Sequence, residues 1–159
     1  MGTSERFIVC GVDGSAAGQR ALQWALEEAA RRGVAVHAVT AWVWDGIEAL
    51  GVPSTPKEAL EQARAVLDRA VDEALSGMDN PPDVERVAQR GEASDALCVA
   101  SAEAELMVLG SHGHGTAHDK LVGSTSERAI HHAVCPVVII PDPRLVERNL
   151  KRARSHVRK

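Results

Sequence analysis

Residues 110–125, GSHGHGTAHDKLVGST, carry the clearest structural signal in this chain. They follow the apolar run LMVL at residues 106–109, which is typical of a strand covered on both faces. Gly110 stands at the end of that strand, and Gly123 stands immediately before a segment with helical spacing. The order of strand, glycine loop and helix predicts a parallel α/β sheet with a ligand site beyond the carboxyl end of the strand.

Outward from this loop, strand-like and helix-like segments alternate. Apolar or β-branched runs predict five strands, at residues 6–12, 34–42, 84–89, 106–109 and 137–140. Helical spacing of Ala and Leu predicts helices at residues 16–32, 56–76, 93–102 and from 124 onward. The resulting β-α-β-α-β-α-β-α-β order predicts one parallel sheet with helices on both faces.

Cap and stop residues bound these helices. Ser15 is a candidate N-cap and Gly33 a stop for the first helix. The capping-box pattern of Thr55 to Glu58 opens the second helix, and the segment from Ser124 to Glu127 repeats that spacing. The predicted buried face of the first helix is Leu22, Ala25, Leu26 and Ala29. That of the second is Leu60, Ala63, Leu67, Ala70, Val71 and Ala74.

The composition is that of one folded domain, with 159 residues, 45% of them hydrophobic and 25% charged. One Phe, three Trp and no Tyr are too few for an aromatic platform that stacks single-stranded nucleic acid. No apolar run approaches the roughly 20 residues of a membrane span, and the N-terminus lacks a secretory pattern. The cysteines, Cys10, Cys98 and Cys135, predict neither a disulfide framework nor a zinc site, so a reducing cytoplasm is expected.

Charge divides the chain at residue 142. Residues 142–159 hold seven Lys and Arg against Asp142 and Glu147, whereas the whole chain has a net charge of -4. We therefore predict a domain over residues 1–141 and a basic tail over residues 142–159. The favoured interpretation is a solvated tail that folds back on the acidic surface of its own domain. Contact with nucleic acid, with an anionic membrane or with an acidic protein face is the alternative.

The segment Gly123-Ser124-Thr125 lies at a predicted helix N-terminus, where unpaired N–H groups and the helix dipole favour a phosphate. The hydroxyls of Ser124 and Thr125 add two donors. From the residues alone, a second interpretation stays open. Gly110 and Gly123 then serve only as turn and cap residues, and Ser124 only caps the helix.

These residues resemble a known family. Gly110 and Gly113, nine further residues and then Gly123-Ser124 match Gly-x2-Gly-x9-Gly-Ser/Thr, the ATP-binding signature of the UspA-like universal stress proteins. The resemblance extends over residues 6–141 and includes IVCGVDGS, VLGSHG and GSTSERAIHHAVCPVVII. It implies a Rossmann-like fold of the adenine nucleotide alpha hydrolase type, with strand order 3-2-1-4-5.

The resemblance also implies a site for ATP, or for AMP, with Mg²⁺ as an accompanying ion. Asp13, preceded by Gly11 and Val12, matches the acidic residue beside the adenosine, and Ala41 matches the position whose main chain meets the adenine. The residues expected around the ribose and phosphates are Gly110, His112, Gly113, Gly123, Ser124 and Thr125. Asp13 has a second candidate role, as an Asx turn leading to Ser15.

Several motifs are missing, and their absence limits the chemistry. The chain has no P-loop, no dinucleotide-binding glycine pattern after a strand and no Gly-x-Ser-x-Gly elbow. Five histidines lie between residues 112 and 132, including His114 and His118 beside Asp119 and Lys120, but their spacing enforces no convergent metal site. We therefore assign no catalytic residue and no metal ligand.

The function expected from this combination is a small nucleotide-binding regulatory protein of the stress response, with little or no turnover. The family often dimerises through its last strand, so the resemblance implies a homodimer through Val137–Ile140, together with an unidentified protein partner. Two alternatives stay open. One is a slow ATP hydrolase or nucleotidyl transferase that uses His112 or Asp13, and the other is a nucleotide-independent module that works through the basic tail.

Overall fold

Strands and helices alternate in the order that the sequence predicts. The computed structural model describes residues 6–46, 53–112 and 122–157. The strands are β1 Phe7–Gly11, β2 Ala35–Trp42, β3 Val84–Arg90, β4 Leu106–Gly110 and β5 Val137–Ile140. The helices are α1 Ala16–Arg32, α2 Pro56–Leu75, α3 Ala93–Ala100, α4 Ser124–His132 and α5 Pro143–His156.

The five strands form one parallel sheet in the order β3-β2-β1-β4-β5, which confirms the predicted topology. β1 lies in the centre, where Ile8 is in register with Val36 of β2 and with Leu106 of β4. The chain moves outward from β1 to β2 and β3, then returns to place β4 on the other side of β1. A crevice therefore opens beyond the carboxyl ends of β1 and β4.

Two apolar layers cover the sheet, because successive side chains of each strand point to opposite faces. On one face, Ile8 and Val108 pack with Leu22, Leu26 and Leu67 of α1 and α2. On the other face lie residues of the sheet, α3 and α4: Val9, Val39, Leu97, Met107, Leu109 and Ala129. All four predicted positions of α1 are buried. Burying a Leu or Val side chain contributes about 1.5–3 kcal/mol, so these layers account for most of the stabilisation.

The helix caps agree in part with the sequence. Ser15 caps α1 by accepting a hydrogen bond from the Gly18 N–H at 3.0 Å, and Gly33 ends the helix in the left-handed conformation. Thr55 accepts from the Glu58 N–H at 3.2 Å, while the Glu58 carboxylate accepts from the N–H of Ser54. The N-cap predicted for α1 and the pairing of Thr55 with Glu58 predicted for α2 are thus present, although the Glu58 carboxylate bonds Ser54 and not the N-cap residue itself.

Other predicted details are wrong. α2 buries Ala59 in place of Leu60, which is half-buried, whereas the other five positions of the predicted face are buried. α3 ends at Ala100 rather than at residue 102, since Ser101 has left helical geometry. Among the described residues the predicted capping box at α4 does not form, because the N-cap is Gly123, which has no side chain to accept from the first turn.

Residues 143–156, which the sequence analysis treats as part of a solvated tail, form α5. Asp142 caps the helix by accepting from the Arg144 N–H at 2.9 Å, and Pro143 occupies its first position. α5 is described in full, and none of its residues is buried. Within the residues that the structure describes, neither α5 nor any other helix is long and apolar enough to cross a membrane.

Candidate functional site

A cavity of about 760 Å³ opens beyond the carboxyl ends of β1, β2 and β4. It occupies the crevice at the point where the strand order reverses. The predicted site residues that line it are Gly11, Val12, Asp13, Ala41, Gly110, His112, Gly123, Ser124 and Thr125. The tenth predicted residue, Gly113, lies outside the described residues, as do His114, His118, Asp119 and Lys120.

One end of the cavity is formed by the N-terminus of α4. Within the part of the chain that the structure describes, no side chain caps this helix, so the N–H groups of Ser124 and Thr125 are available to an external acceptor. The helix dipole adds a partial positive charge at the same point. The Ser126 hydroxyl donates to the Gly110 carbonyl at 2.9 Å and so ties the first turn of α4 to the end of β4. This end of the cavity is suited to an anion.

Ser111 holds the segments around this helix end together. Its side chain is 98% buried, and its N–H donates to the Ile140 carbonyl at 2.9 Å. Its carbonyl accepts from the Gly123 N–H at 2.6 Å, and its hydroxyl accepts from the Asp142 N–H at 3.1 Å. Nδ1 of His112 lies 3.1 Å from the same hydroxyl oxygen. One residue therefore links β4, the turn before α4, and the junction between β5 and α5.

Gly110 is required by close packing. A Cβ at this position would lie 2.7 Å from the carbonyl carbon of Ala17 and 2.8 Å from its oxygen. These atoms belong to the backbone of α1, which cannot move aside without displacing the helix. The sequence offers a turn or a close ligand approach as the reason for this glycine. The structure shows instead that α1 passes directly over it.

The other side of the cavity begins with the loop after β1. The Val12 N–H donates to the Val39 carbonyl, and the Thr40 hydroxyl donates to the Val12 carbonyl, both at 2.8 Å. Oδ1 of Asp13 accepts from the N–H of Ser15 at 2.9 Å and from its hydroxyl at 2.6 Å. The Asx turn proposed from the sequence is thus present, and the same carboxylate lines the cavity.

The thiol of Cys10 lies beneath this loop. Burial raises its pKa far above the usual range, and the nearby Asp13 carboxylate raises it further. The thiol therefore stays protonated and is a poor nucleophile. Cys98 and Cys135 are also free thiols.

Ala41 presents main-chain groups to the far end of the cavity. Along β2 the main-chain groups alternate in direction: the Val39 carbonyl bonds to β1, whereas the Trp42 carbonyl accepts from Gly91 on the side of β3. The N–H and C=O of Ala41 therefore point toward the side of β1. At this level β1 has already turned away at Val12, so these groups face the cavity instead of a strand.

The sequence did not identify the apolar wall of the cavity. α2 contributes Ala59, Gln62, Ala63 and Val66, spaced at helical intervals on one stripe. Trp42 also lines the cavity, and the Arg90 guanidinium lies 5.6 Å from its ring centre. Nε1 of Trp42 is buried and has no hydrogen-bond partner among residues 6–46, 53–112 and 122–157.

Few charged groups face this space. Among the described lining residues, Asp13 is the only carboxylate, and none is Lys or Arg. Across residues 6–46, 53–112 and 122–157 there is no group of three or more His, Cys, Asp or Glu side chains that could hold a metal ion. The described part of the cavity thus offers main-chain donors, hydroxyls and an apolar wall.

Comparison with known sequences identifies the family. The model of the universal stress protein family matches residues 6–141. The chain belongs to this family. It is 37% identical over 135 residues to a universal stress protein of Mycobacterium bovis, covering 83% of this chain and 44% of the relative. It is 36% identical over 137 residues to one from Mycolicibacterium smegmatis, covering 84% of this chain and 45% of the relative. The chain spans about half the length of these curated relatives.

Solved universal stress protein structures share the fold. One from Archaeoglobus fulgidus, in complex with dAMP, has a TM-score of 0.64 and is 26% identical. The alignment covers 85% of this chain and 96% of that one. Another, in complex with cAMP, has a TM-score of 0.67 at 24% identity, covering 85% of this chain and 96% of that chain. Both have the Rossmann-like sheet described above.

Proposed function

We propose that this universal stress protein binds an adenine nucleotide, ATP in particular, in the cavity above β1 and β4. The base lies at the Ala41 end, and the phosphates lie against the N-terminus of α4. The dAMP complex of the Archaeoglobus fulgidus relative supports an adenine nucleotide as the ligand class. The Gly-x2-Gly-x9-Gly-Ser/Thr pattern supports ATP within that class.

The observation that carries this proposal is the pairing of two complementary ends in one cavity. Ala41 offers one main-chain donor and one acceptor beside an apolar wall, which suits the edge and faces of a purine. The uncapped first turn of α4 offers N–H groups and hydroxyls, which suit phosphate oxygens. Asp13 follows the strand that lies between β2 and β4, so its carboxylate is placed to accept from ribose hydroxyls.

Mg²⁺ fits the phosphate end of this arrangement. No Lys or Arg is among the described lining residues, so a triphosphate needs another source of positive charge. The ion would supply that charge, and the hydroxyls of Ser124 and Thr125 are oxygen donors of the class it prefers. AMP, with a smaller charge, depends less on the ion.

Calorimetric titration of the full chain with ATP and AMP, with and without Mg²⁺, tests the proposal. We expect micromolar ATP binding that Gly123→Val weakens at least tenfold, because the new side chain covers the N–H groups of α4. Gly77→Val is the matched control, since no atom lies within 4 Å of a Cβ at that position. Absence of binding by the folded wild type, or equal binding by both variants, contradicts the proposed site.

We further propose that nucleotide binding itself is the regulatory signal and that the protein hydrolyses little of the bound nucleotide. The described lining holds no base paired with a nucleophile, and the Asp13 carboxylate is already bonded to Ser15. Slow ATP hydrolysis is the second candidate function, because the imidazole of His112 lines the cavity. Steady-state measurement of phosphate release from ATP distinguishes slow hydrolysis from regulation by binding alone. If His112→Ala abolishes measurable release and preserves ATP affinity, the protein is a slow hydrolase.

We also propose a homodimer through β5, as the family resemblance implies. β5 is an edge of the sheet, and its four residues are only half-buried. The carbonyls of Pro136 and Ile140 bond to β4, so the N–H of Ile139 points outward. Ile139→Pro removes that donor and is expected to give a monomer in analytical ultracentrifugation at micromolar concentration. Ile139→Val serves as the control that keeps the donor. A monomeric wild type contradicts the dimer.

A further inference from the structure

α5 has an apolar row on one side. Val146, Leu150 and Ala153 of the helix and Val157, its C-cap, recur at intervals of four, three and four residues, and at about 100° per residue they share one face. Leu150 is 51% exposed and Val157 is 73% exposed. Val146 is half-buried, whereas Leu150, Ala153 and Val157 are exposed and no residue of α5 is fully buried, so most of this row faces away from the core of the domain.

The opposite side of α5 is basic. Arg144, Arg148, Lys151 and Arg152 lie within about 100° of one another on the helix, and Arg154 flanks them. Glu147 is the single acidic residue of the helix, and it pairs with Lys151 at 3.2 Å. α5 therefore has an exposed apolar face and a strongly cationic face, and it lies beyond the residues 6–141 that match the family model.

This combination selects one kind of partner. A second copy of α5 would cover the apolar row but would leave the cationic face of each helix without a partner, and the net positive charge of both helices opposes their approach. Nucleic acid would use the basic face and leave the apolar row unexplained. The surface of an anionic bilayer matches both faces, because acyl chains accept the apolar row while phospholipid headgroups attract the cationic side chains.

We propose that α5 is a surface helix for anionic phospholipid membranes. The helix lies in the plane of the interface with its apolar row inward, and its Lys and Arg side chains extend to the headgroups. It does not span the bilayer. This surface is separate from the nucleotide cavity, so the proposal stands independently of what the cavity binds.

Cosedimentation of the full chain with vesicles tests the proposal, without added nucleotide. We expect binding to phosphatidylglycerol-containing vesicles and none to pure phosphatidylcholine. Arg148→Gln with Arg152→Gln should weaken the binding about 30-fold, because each cation near an anionic surface contributes about fivefold. Leu150→Ser with Val157→Ser should weaken it about tenfold or more, because the apolar contact is lost.

The matched control is Arg64→Gln with Arg69→Gln, which removes two exposed charges from α2 and should leave vesicle binding unchanged. The thermal unfolding midpoints of all variants should agree, since none of the changed residues is buried. Two results overturn the proposal. One is equal binding to both vesicle types. The other is a loss of vesicle binding in the Arg148→Gln, Arg152→Gln variant while the Leu150→Ser, Val157→Ser variant binds vesicles like the wild type. If that second variant also binds duplex DNA as tightly as the wild type, the basic face is a nucleic-acid surface.

Discussion

At the scale of single residues, Gly110 shows how the fold and the cavity share one position. It ends β4, lines the cavity and lies under the backbone of α1. Packing against α1 therefore favours glycine at this position whether or not a ligand occupies the cavity. Ser111, the next residue, is constrained as well, because its N–H, its carbonyl and its hydroxyl each have a partner in a different segment.

Gly110→Ala should lower the free energy of unfolding by about 1–3 kcal/mol, the usual cost of forcing a methyl group into a packed interior. The cause is the 2.7 Å distance from the new Cβ to the carbonyl carbon of Ala17. Denaturant unfolding followed by circular dichroism measures the loss. Gly77→Ala, made in open space, should change stability by much less. Equal stability of Gly110→Ala and the wild type would show that the α1 backbone does not make a close steric contact with this position.

At the scale of elements, the cap of α5 depends on pH. Hydrogen bonds from the Arg144 guanidinium, and to a smaller extent the one from its N–H, hold the pKa of Asp142 at about 2, below the usual 3.8. Since the folded pKa is depressed, the contribution of the cap is complete above 3.8 and is lost as the pH falls through about 2.

The carboxyl chemical shift of Asp142, followed by NMR through an acid titration, measures this pKa directly. Arg144→Ala should raise it toward 3.8, because the guanidinium bond is lost, and should shift the loss of the cap to higher pH. Asp142→Asn should remove the dependence of the first α5 amides on pH in this range. A wild-type pKa near 3.8 would mean that Arg144 does not pair with this carboxylate in solution.

The elements differ in how well the sequence predicts them. β4 and β5 were found because continuous apolar runs leave few alternatives to a strand. α5 was missed because five Lys and Arg dominate its composition, although Asp142 and Pro143 form a recognisable helix start. The helix boundary at α4 was placed correctly but its cap was not, since a side-chain cap depends on rotamers that spacing does not determine.

At the scale of the whole molecule, the sequence predicted the parts of the candidate site that directly follow a strand. It did not predict the parts that other elements bring to the cavity through packing. The glycine pattern and the loop after β1 lead to residues that line one cavity. The wall from α2 could not be predicted in the same way, because Gln62 and Val66 reach the cavity only through packing on β2. The direction of the Ala41 main chain likewise depends on how far β1 extends beside it.

The position of Ser111 between the two proposed binding surfaces has a thermodynamic consequence. Ser111 accepts from both the Gly123 N–H and the Asp142 N–H, so we expect a ligand that alters the turn at Gly123 to affect the first residues of α5. Linkage requires that this influence be reciprocal: the factor by which nucleotide changes vesicle affinity must equal the factor by which vesicles change nucleotide affinity. We expect these two factors to be equal when they are measured on the same protein. In Ser111→Ala we expect both factors to approach one. A ratio of one in the wild type would mean that the two surfaces work independently.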